Sequence, residues 1–171
     1  MKRLYFHQYN RNHKIRTEYF NKRMTTRGHI DSFNMMVVGK YFKEVEDFMK
    51  VEMVNKKYKC ITTKYKYNPI PLNDERSRNL FSNIETQHLY SEEDNVLNEG
   101  EIKIHVYWYR VSYKEYTEKK GEHKEYKNIV YAEHDRKNYG NEIPECVNVI
   151  SDECFYGCSS LSSISIPSSV S

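Results

Sequence analysis

The chain has few of the residues on which common catalytic and cofactor motifs depend. Only 6 of its 171 residues are glycine, and it contains neither a glycine-rich phosphate loop nor a Gly-x-Ser-x-Gly turn. No apolar run is long enough to suggest a secretory signal or a membrane span. These absences argue against the nucleotide-loop and serine-hydrolase classes. We therefore expect no enzymatic activity and no membrane partner.

Cysteine is also scarce, with four residues: Cys60, Cys146, Cys154 and Cys158. Without an export signal these thiols are expected to be reduced, which favours the cytoplasm or the nucleus. The last three could be considered as zinc ligands, but zinc needs a fourth ligand and the nearest histidine, His134, lies before this segment. The sequence therefore predicts no metal and no cofactor.

Charge and tyrosine are what the chain has in abundance. It contains 16 tyrosines and only one tryptophan, and 30% of its residues are charged, with a formal net charge of +3. Residues 1–30 carry eight lysines and arginines against the single acid Glu18. The basic stretch 1–29 is interpreted as a disordered leader, with an arm that binds nucleic acid as the alternative. Because charge alone is weak evidence of a partner, nucleic acid is not the expected ligand.

The C-terminal stretch 143–171 contains an internal repeat. Ile143-Pro144 recurs as Ile166-Pro167, and Val147 recurs as Val170, in both cases 23 residues later. A fixed period of this size is typical of repeat proteins, in which each unit needs its neighbours to complete a core. Between the two copies lie an aromatic residue, a glycine that can supply a positive φ, and further apolar positions: Phe155, Gly157-Cys158, Leu161 and Ile164.

This segment resembles the BspA-like leucine-rich repeats of the protist type, in which an aromatic residue precedes a Gly-Cys turn and a Ser-Ser-Leu stretch. The resemblance implies a β-rich solenoid that binds other proteins. Since the second copy has only begun at Ser171, we expect a chain truncated after about one repeat.

Residues 30–67 predict a helical hairpin. Asp31 or Ser32 can cap a first helix that the poor helix former Gly39 keeps short, and a second helix should begin near Val45. Four apolar residues at helical spacing are predicted to form the core between the helices or against the first strand: Met36, Val37, Phe48 and Val54.

The hairpin resembles an F-box. Tyr41-Phe42, Glu46-Asp47 and the stretch 54–58 occupy positions of the family pattern, whereas Ile30-Asp31 replaces its Leu-Pro and Asn55 its cysteine. The resemblance implies docking on a Skp-type ubiquitin-ligase subunit. The candidate adaptor-binding residues are Phe33, Met36, Val37 and Phe42. The alternative is a helical cap that shields the first coil of the repeats.

Residues 68–142 are interpreted as a region of degenerate repeats and a β-hairpin. Residues 73–78 are predicted to be a loop, and 81–89 resemble a degenerate repeat strand. Residues 102–113 alternate as a strand that should bury Trp108 on the face of Ile102, Ile104 and Val106, with a bulge or a change of burial after Arg110. A charged turn around Gly121 should lead to a return strand at 126–131.

The predicted architecture is therefore an α+β chain, with a short N-terminal helical hairpin followed by an open, β-rich leucine-rich repeat solenoid that is incomplete. The predicted function is a non-catalytic protein-interaction module. The alternatives are an F-box-like substrate adaptor of a ubiquitin ligase and a nucleic-acid binder that uses residues 1–29.

Overall fold

The computed structural model describes residues 30–98 and 102–171. The predicted leader 1–29 lies outside the described residues. Five α-helices and four β-strands are described, together with 3₁₀ turns at Lys56–Tyr58 and Thr62–Lys64. The helices are α1 (Ser32–Gly39), α2 (Val45–Val54), α3 (Glu75–Leu80), α4 (Tyr113–Lys119) and α5 (Glu133–Tyr139). The strands are β1 (Thr86–Leu89), β2 (Ile104–Ser112), β3 (Lys124–Tyr131) and β4 (Val149–Ile150).

The two N-terminal helices are confirmed, with the predicted start and end signals. The Asp31 carboxylate accepts a hydrogen bond from the Asn34 N–H at 2.8 Å, and thereby satisfies one of the free amides of the first turn of α1. Helix α1 ends at Gly39, and α2 starts at Val45 after an extended Glu44. The local sequence signals were therefore sufficient to place both helices.

The predicted core of the hairpin is only partly correct. Phe48 is 1% exposed, but Val37 is 40% and Val54 77% exposed. Met36 is half-buried against a cluster that includes residues from outside the hairpin. The two helices pack against this cluster as well as against each other. The side chains that they bury therefore differ from those predicted. The core cluster comprises Phe48, Tyr65, Ile70, Leu72, Phe81 and Ile84.

The β-strands form one sheet in which every pair is parallel, in the order β1-β2-β3-β4. A parallel bridge between Tyr67 and Thr86 extends the sheet beyond β1. Short helices, α4 and α5, lie in the connections before β3 and β4. The architecture is therefore α/β, and the expected α+β chain with an open, β-rich leucine-rich repeat solenoid is wrong. Residues 143–171 contribute to the sheet only the two-residue strand β4.

The predicted antiparallel hairpin around Gly121 is also wrong. Residues 113–119 form α4 instead, because the Ser112 hydroxyl caps the helix by accepting from the Glu115 N–H at 3.1 Å. Glu115 and Lys119, which lie one helical turn apart, form an ion pair at 2.7 Å. The helix carries the chain back across the sheet, so β3 runs parallel to β2, as such connections require. A register shift occurs between Tyr107 and Arg110, before the position predicted for a bulge or a change of burial.

The segment 73–78, predicted to be a loop, contains most of α3. Asp74 caps this helix by accepting from the Ser77 N–H at 2.7 Å, and the Ser77 hydroxyl donates back to the Asp74 carbonyl at 2.9 Å. Ser77 is 1% exposed. The charged residues around it therefore form the solvent face of a short, well-capped helix.

The C-terminal repeat adopts the same local turn in both copies. The Val147 N–H donates to the Pro144 carbonyl at 3.0 Å, and the Val170 N–H donates to the Pro167 carbonyl at 3.2 Å. The second copy lies directly on the first, since the Ser169 hydroxyl donates to the Val147 carbonyl at 2.7 Å. The predicted positive φ of Gly157 is confirmed, at 70°.

A candidate binding surface on the open face of the sheet

Aromatic side chains form a continuous row across the face of the sheet that carries the outward residues of β1 and β2. We call Tyr67, His88, Tyr90 and Trp108 the aromatic row. The Tyr67 and His88 rings are stacked, with their centroids 4.6 Å apart. The His88 ring also lies 5.6 Å from the Trp108 ring and 6.0 Å from the Tyr90 ring. Trp108 is 42% and Tyr90 37% exposed, so this row presents aromatic surface to solvent.

The backbone register explains why these residues meet. In the parallel pairing of β1 with β2, His88 lies opposite Val106, and residues two apart on a strand share a face. Trp108 therefore follows Val106 on the face that carries His88. Tyr67 enters the row from the other side, through its parallel bridge to Thr86.

A buried asparagine fixes the spacing between Tyr67 and His88. The Asn68 side chain is 0% exposed. Its amide nitrogen donates to the Ile70 and His88 carbonyls at 2.9 and 2.8 Å, and its oxygen accepts from the His88 N–H at 2.7 Å. The Tyr90 hydroxyl donates to the Asn68 carbonyl at 2.8 Å. The row therefore rests on buried, satisfied hydrogen bonds, which hold it in one conformation.

Burial and nearby charge shift the pKa values of His88 and Tyr90 in the directions that favour their uncharged forms. Burial lowers the pKa of His88, and the positive Lys127 lowers it further. Burial raises the pKa of Tyr90 above its usual value, so its phenol stays protonated. The row consequently offers neutral aromatic faces, which favour stacking and apolar contacts over ion pairing.

Charged side chains of both signs lie around the row. Lys40 lies over the Tyr67 ring, 5.7 Å from its centroid. Lys127, which lowers the pKa of His88, pairs with Glu125 at 2.9 Å. Asp94 lies beside Tyr90, whose N–H donates to its carboxylate at 2.6 Å. The surroundings of the row are therefore mixed in charge, which suits a partner segment that carries charged residues beside apolar ones.

The predicted burial of Trp108 is wrong, although its face is covered elsewhere, since Val106 on that face is 4% and Trp108 42% exposed. The opposite face of β2 is also covered: Tyr107 is 8% exposed and stacks on Tyr126, with centroids 4.6 Å apart and an interplanar angle of 9°. On this side lies α4, where the Tyr116 ring meets Tyr126 at 5.5 Å. Buried residues of β2 therefore lie on both faces, and Trp108 lies where the face shared with Val106 is open to solvent.

The residues predicted from the F-box resemblance divide into two groups. Phe33 is 72% and Val37 40% exposed, and they lie one turn apart on α1. Met36 and Phe42 are half-buried against the hairpin core, where the Phe42 ring meets Phe48 edge-to-face at 5.1 Å. Only Phe33 and Val37 are therefore accessible to a partner.

Sequence inspection did not identify Tyr67, His88 or Tyr90 as site residues. The signal that could have found them is the offset between neighbouring strands. The side-chain hydrogen bonds from Asn68 to His88 and from Asn128 to Trp108 both join residues 20 positions apart. In the strand pairings themselves, partner residues are 18 or 19 positions apart. Chain positions separated by about this offset therefore lie side by side on the sheet.

In the described part of the chain, no group of three or more His, Cys, Asp or Glu side chains is arranged to hold a metal ion. All four cysteines are free thiols, and burial raises the pKa of Cys146 and Cys154. No helix within residues 30–98 and 102–171 has the length and apolar character needed to cross a membrane. No protein-family model, curated protein or solved structure matches the chain.

Proposed function

We propose that the chain is a non-catalytic protein-interaction module whose aromatic row binds a segment of a partner protein that combines apolar and charged residues. The observation that carries the proposal is the exposure of Trp108 and Tyr90 on a rigid sheet face. Tryptophan and tyrosine dominate the binding energy of many protein interfaces because they bury a large area with little loss of conformational freedom. Lysines and carboxylates around the row, including Lys40 and Asp94, can fix the orientation of the partner segment through charge complementarity.

The proposed site of action is the cytoplasm or the nucleus. All four cysteines are free thiols, including Cys60, which is exposed to solvent. Reduced, exposed thiols are characteristic of compartments in which glutathione keeps cysteines from pairing.

The test uses Trp108, the only tryptophan, as an optical probe within the site. Peptides that combine charged and apolar residues are selected by display against the full chain, and their binding is followed by Trp108 emission. Scrambled sequences of equal charge serve as ligand controls. For a selected peptide, Trp108→Ala should weaken binding by about tenfold or more, as measured by calorimetry, because it removes the most exposed ring of the row.

Tyr156→Ala provides a matched control, since Tyr156 is 81% exposed and lies outside the aromatic row. This variant should bind the peptide as tightly as the parent chain does. Equal affinities for the Trp108→Ala and parent chains would contradict the proposal, as would selected peptides that bind no better than their scrambled forms.

A second function, adaptor docking on a Skp-type subunit, is favoured by the exposure of Phe33 and Val37. A purified Skp-type protein should bind the full chain and lose affinity when Phe33 is changed to Ala. Tyr41→Ala is the control, because Tyr41 is 82% exposed and is not among the predicted docking residues. Absence of binding to the purified subunit would exclude this function.

A further inference from the structure

A second unusual surface lies where α2 ends. Met53 and Val54 are 84% and 77% exposed, which places them among the most exposed large apolar side chains of the described chain. Exposed lysines precede and follow them along the chain. We call this surface the basic end of α2; it consists of Lys50, Met53, Val54, Lys56, Lys57 and Lys59.

The positive charge of the basic end is largely unneutralised. Within the described residues, its only ion pair is that of Lys50 with Asp47, at 3.9 Å. The nearby Glu52 keeps its negative charge but forms no ion pair with these lysines, since its carboxylate accepts from the Thr62 hydroxyl at 2.8 Å and from the Thr62 N–H at 3.2 Å. The four lysines outnumber Asp47 and Glu52. The surface therefore carries a surplus of positive charge beside apolar side chains.

The local structure holds the lysines and the apolar side chains together. Helical spacing of three and four residues places Lys50 beside Met53 and Val54. The helix stops at the extended Asn55, whose side chain accepts from the Lys57 N–H at 3.1 Å and starts the 3₁₀ turn. Tyr58 anchors this turn, since it is 6% exposed and its hydroxyl donates to the Ile30 carbonyl at 2.5 Å.

We propose that the basic end of α2 docks the protein on the surface of an anionic lipid bilayer. A peripheral membrane site combines apolar side chains, which enter the headgroup boundary, with lysines that contact anionic headgroups. This arrangement needs no membrane-spanning segment, and it is independent of ligand binding at the aromatic row. The lack of a spanning run, on which our expectation of no membrane partner was based, therefore does not bear on it.

The same residues fit a nucleic acid less well. Proteins that bind single strands stack bases on exposed aromatic rings, whereas Tyr58, the tyrosine that lies between these lysines, is 6% exposed. The apolar side chains that the basic end does expose, Met53 and Val54, are aliphatic. These aliphatic side chains can enter the apolar boundary of a bilayer, but they give a nucleic-acid base no ring to stack on.

The test is sedimentation of the full chain with phosphatidylcholine vesicles that contain a graded fraction of phosphatidylserine. Changing both Lys56 and Lys57 to Glu should weaken vesicle binding by at least about twentyfold, because each lysine near an anionic surface contributes about fivefold. Changing Met53 and Val54 to Ser leaves every charge in place, and it should also weaken binding if these side chains enter the boundary.

The matched control is the pair of changes Lys120→Glu and Lys124→Glu, which alters the net charge equally. Lys120 lies over the Tyr116 ring, 5.7 Å from its centroid, much as Lys57 lies over the Tyr58 ring at 4.8 Å. This control should retain most of the vesicle binding, including any part supplied by the basic residues 1–29. Circular dichroism of each variant confirms that it folds.

Three results would overturn the proposal. The first is an equal loss of vesicle binding in the Lys56/Lys57 and Lys120/Lys124 variants, which would show an effect of net charge alone. The second is undiminished binding after Met53 and Val54 are changed to Ser. The third is binding to a single-stranded oligonucleotide that is tighter than vesicle binding and lost in the Lys56/Lys57 variant, which would assign the surface to nucleic acid.

Discussion

Substitution of Gly39 by alanine tests whether helix propensity or packing against distant residues decides the stability of the fold at this position. Gly39 is the last residue of α1 and is buried. On helix propensity alone, alanine should stabilise this position by up to about 1 kcal/mol. A methyl group at Gly39, however, would overlap the Tyr65 hydroxyl and lie 3.1 Å from Cε1 of Phe48. The structure therefore predicts the opposite sign to that predicted by the sequence.

The magnitude follows from what the methyl group displaces. The Tyr65 hydroxyl donates to the Met36 carbonyl at 2.8 Å, and losing that bond costs about 1 kcal/mol. Crowding a packed core costs a further 1–3 kcal/mol or so. After subtracting the propensity gain, we expect Gly39→Ala to lower the free energy of unfolding by about 2 kcal/mol. Urea denaturation followed by circular dichroism measures this change.

Removal of the Tyr65 hydroxyl isolates its contribution to the stability lost in the Gly39→Ala chain. In a Tyr65→Phe background the alanine methyl no longer meets an oxygen, so Gly39→Ala should cost about 1 kcal/mol less than in the parent chain. Gly121→Ala is the control, since a methyl there has no neighbour within 4 Å. A Gly39→Ala chain as stable as the parent, or a cost unaltered by Tyr65→Phe, would refute the predicted contact.

Two further predictions concern the hairpin core and its pH dependence. Phe48→Ala should lower the unfolding free energy by about 3–5 kcal/mol, whereas Val54→Ala should change it by less than about 0.5 kcal/mol; equal melting temperatures for the two variants would contradict this difference in burial. Burial raises the pKa of Tyr65 to about 12, with Tyr67 adding to the effect. The neutral phenol therefore stabilises the fold below pH 10, and this contribution is lost as the pH rises from 10 to 12. Tyr65→Phe should reduce the loss of stability measured by urea denaturation over that interval, and an identical alkaline profile would count against the burial of this hydroxyl.

Features that depend on residues a few positions apart were predictable from the sequence. The Asp31 cap, the end of α1 at Gly39, the start of α2 at Val45 and the positive φ of Gly157 all follow from such local chemistry. Hydrogen bonds from a cap to the first turn, and the steric freedom of glycine, need no distant partner. For the same reason the repeated Pro-to-Val turns recur in both copies.

The tertiary structure decided which surfaces are buried and in which direction the strands run. Alternation along β2 does not determine which residues of a face are covered: Val106 is 4% and Trp108 42% exposed on one face, while Tyr107 on the other is buried against Tyr126. Charge along residues 113–119 is compatible with a turn or a helix, and the Ser112 cap together with the sheet beneath produced a helix and a parallel β3. The aromatic row could not be predicted because it joins side chains about 20 residues apart, which meet only when the parallel register places their strands side by side.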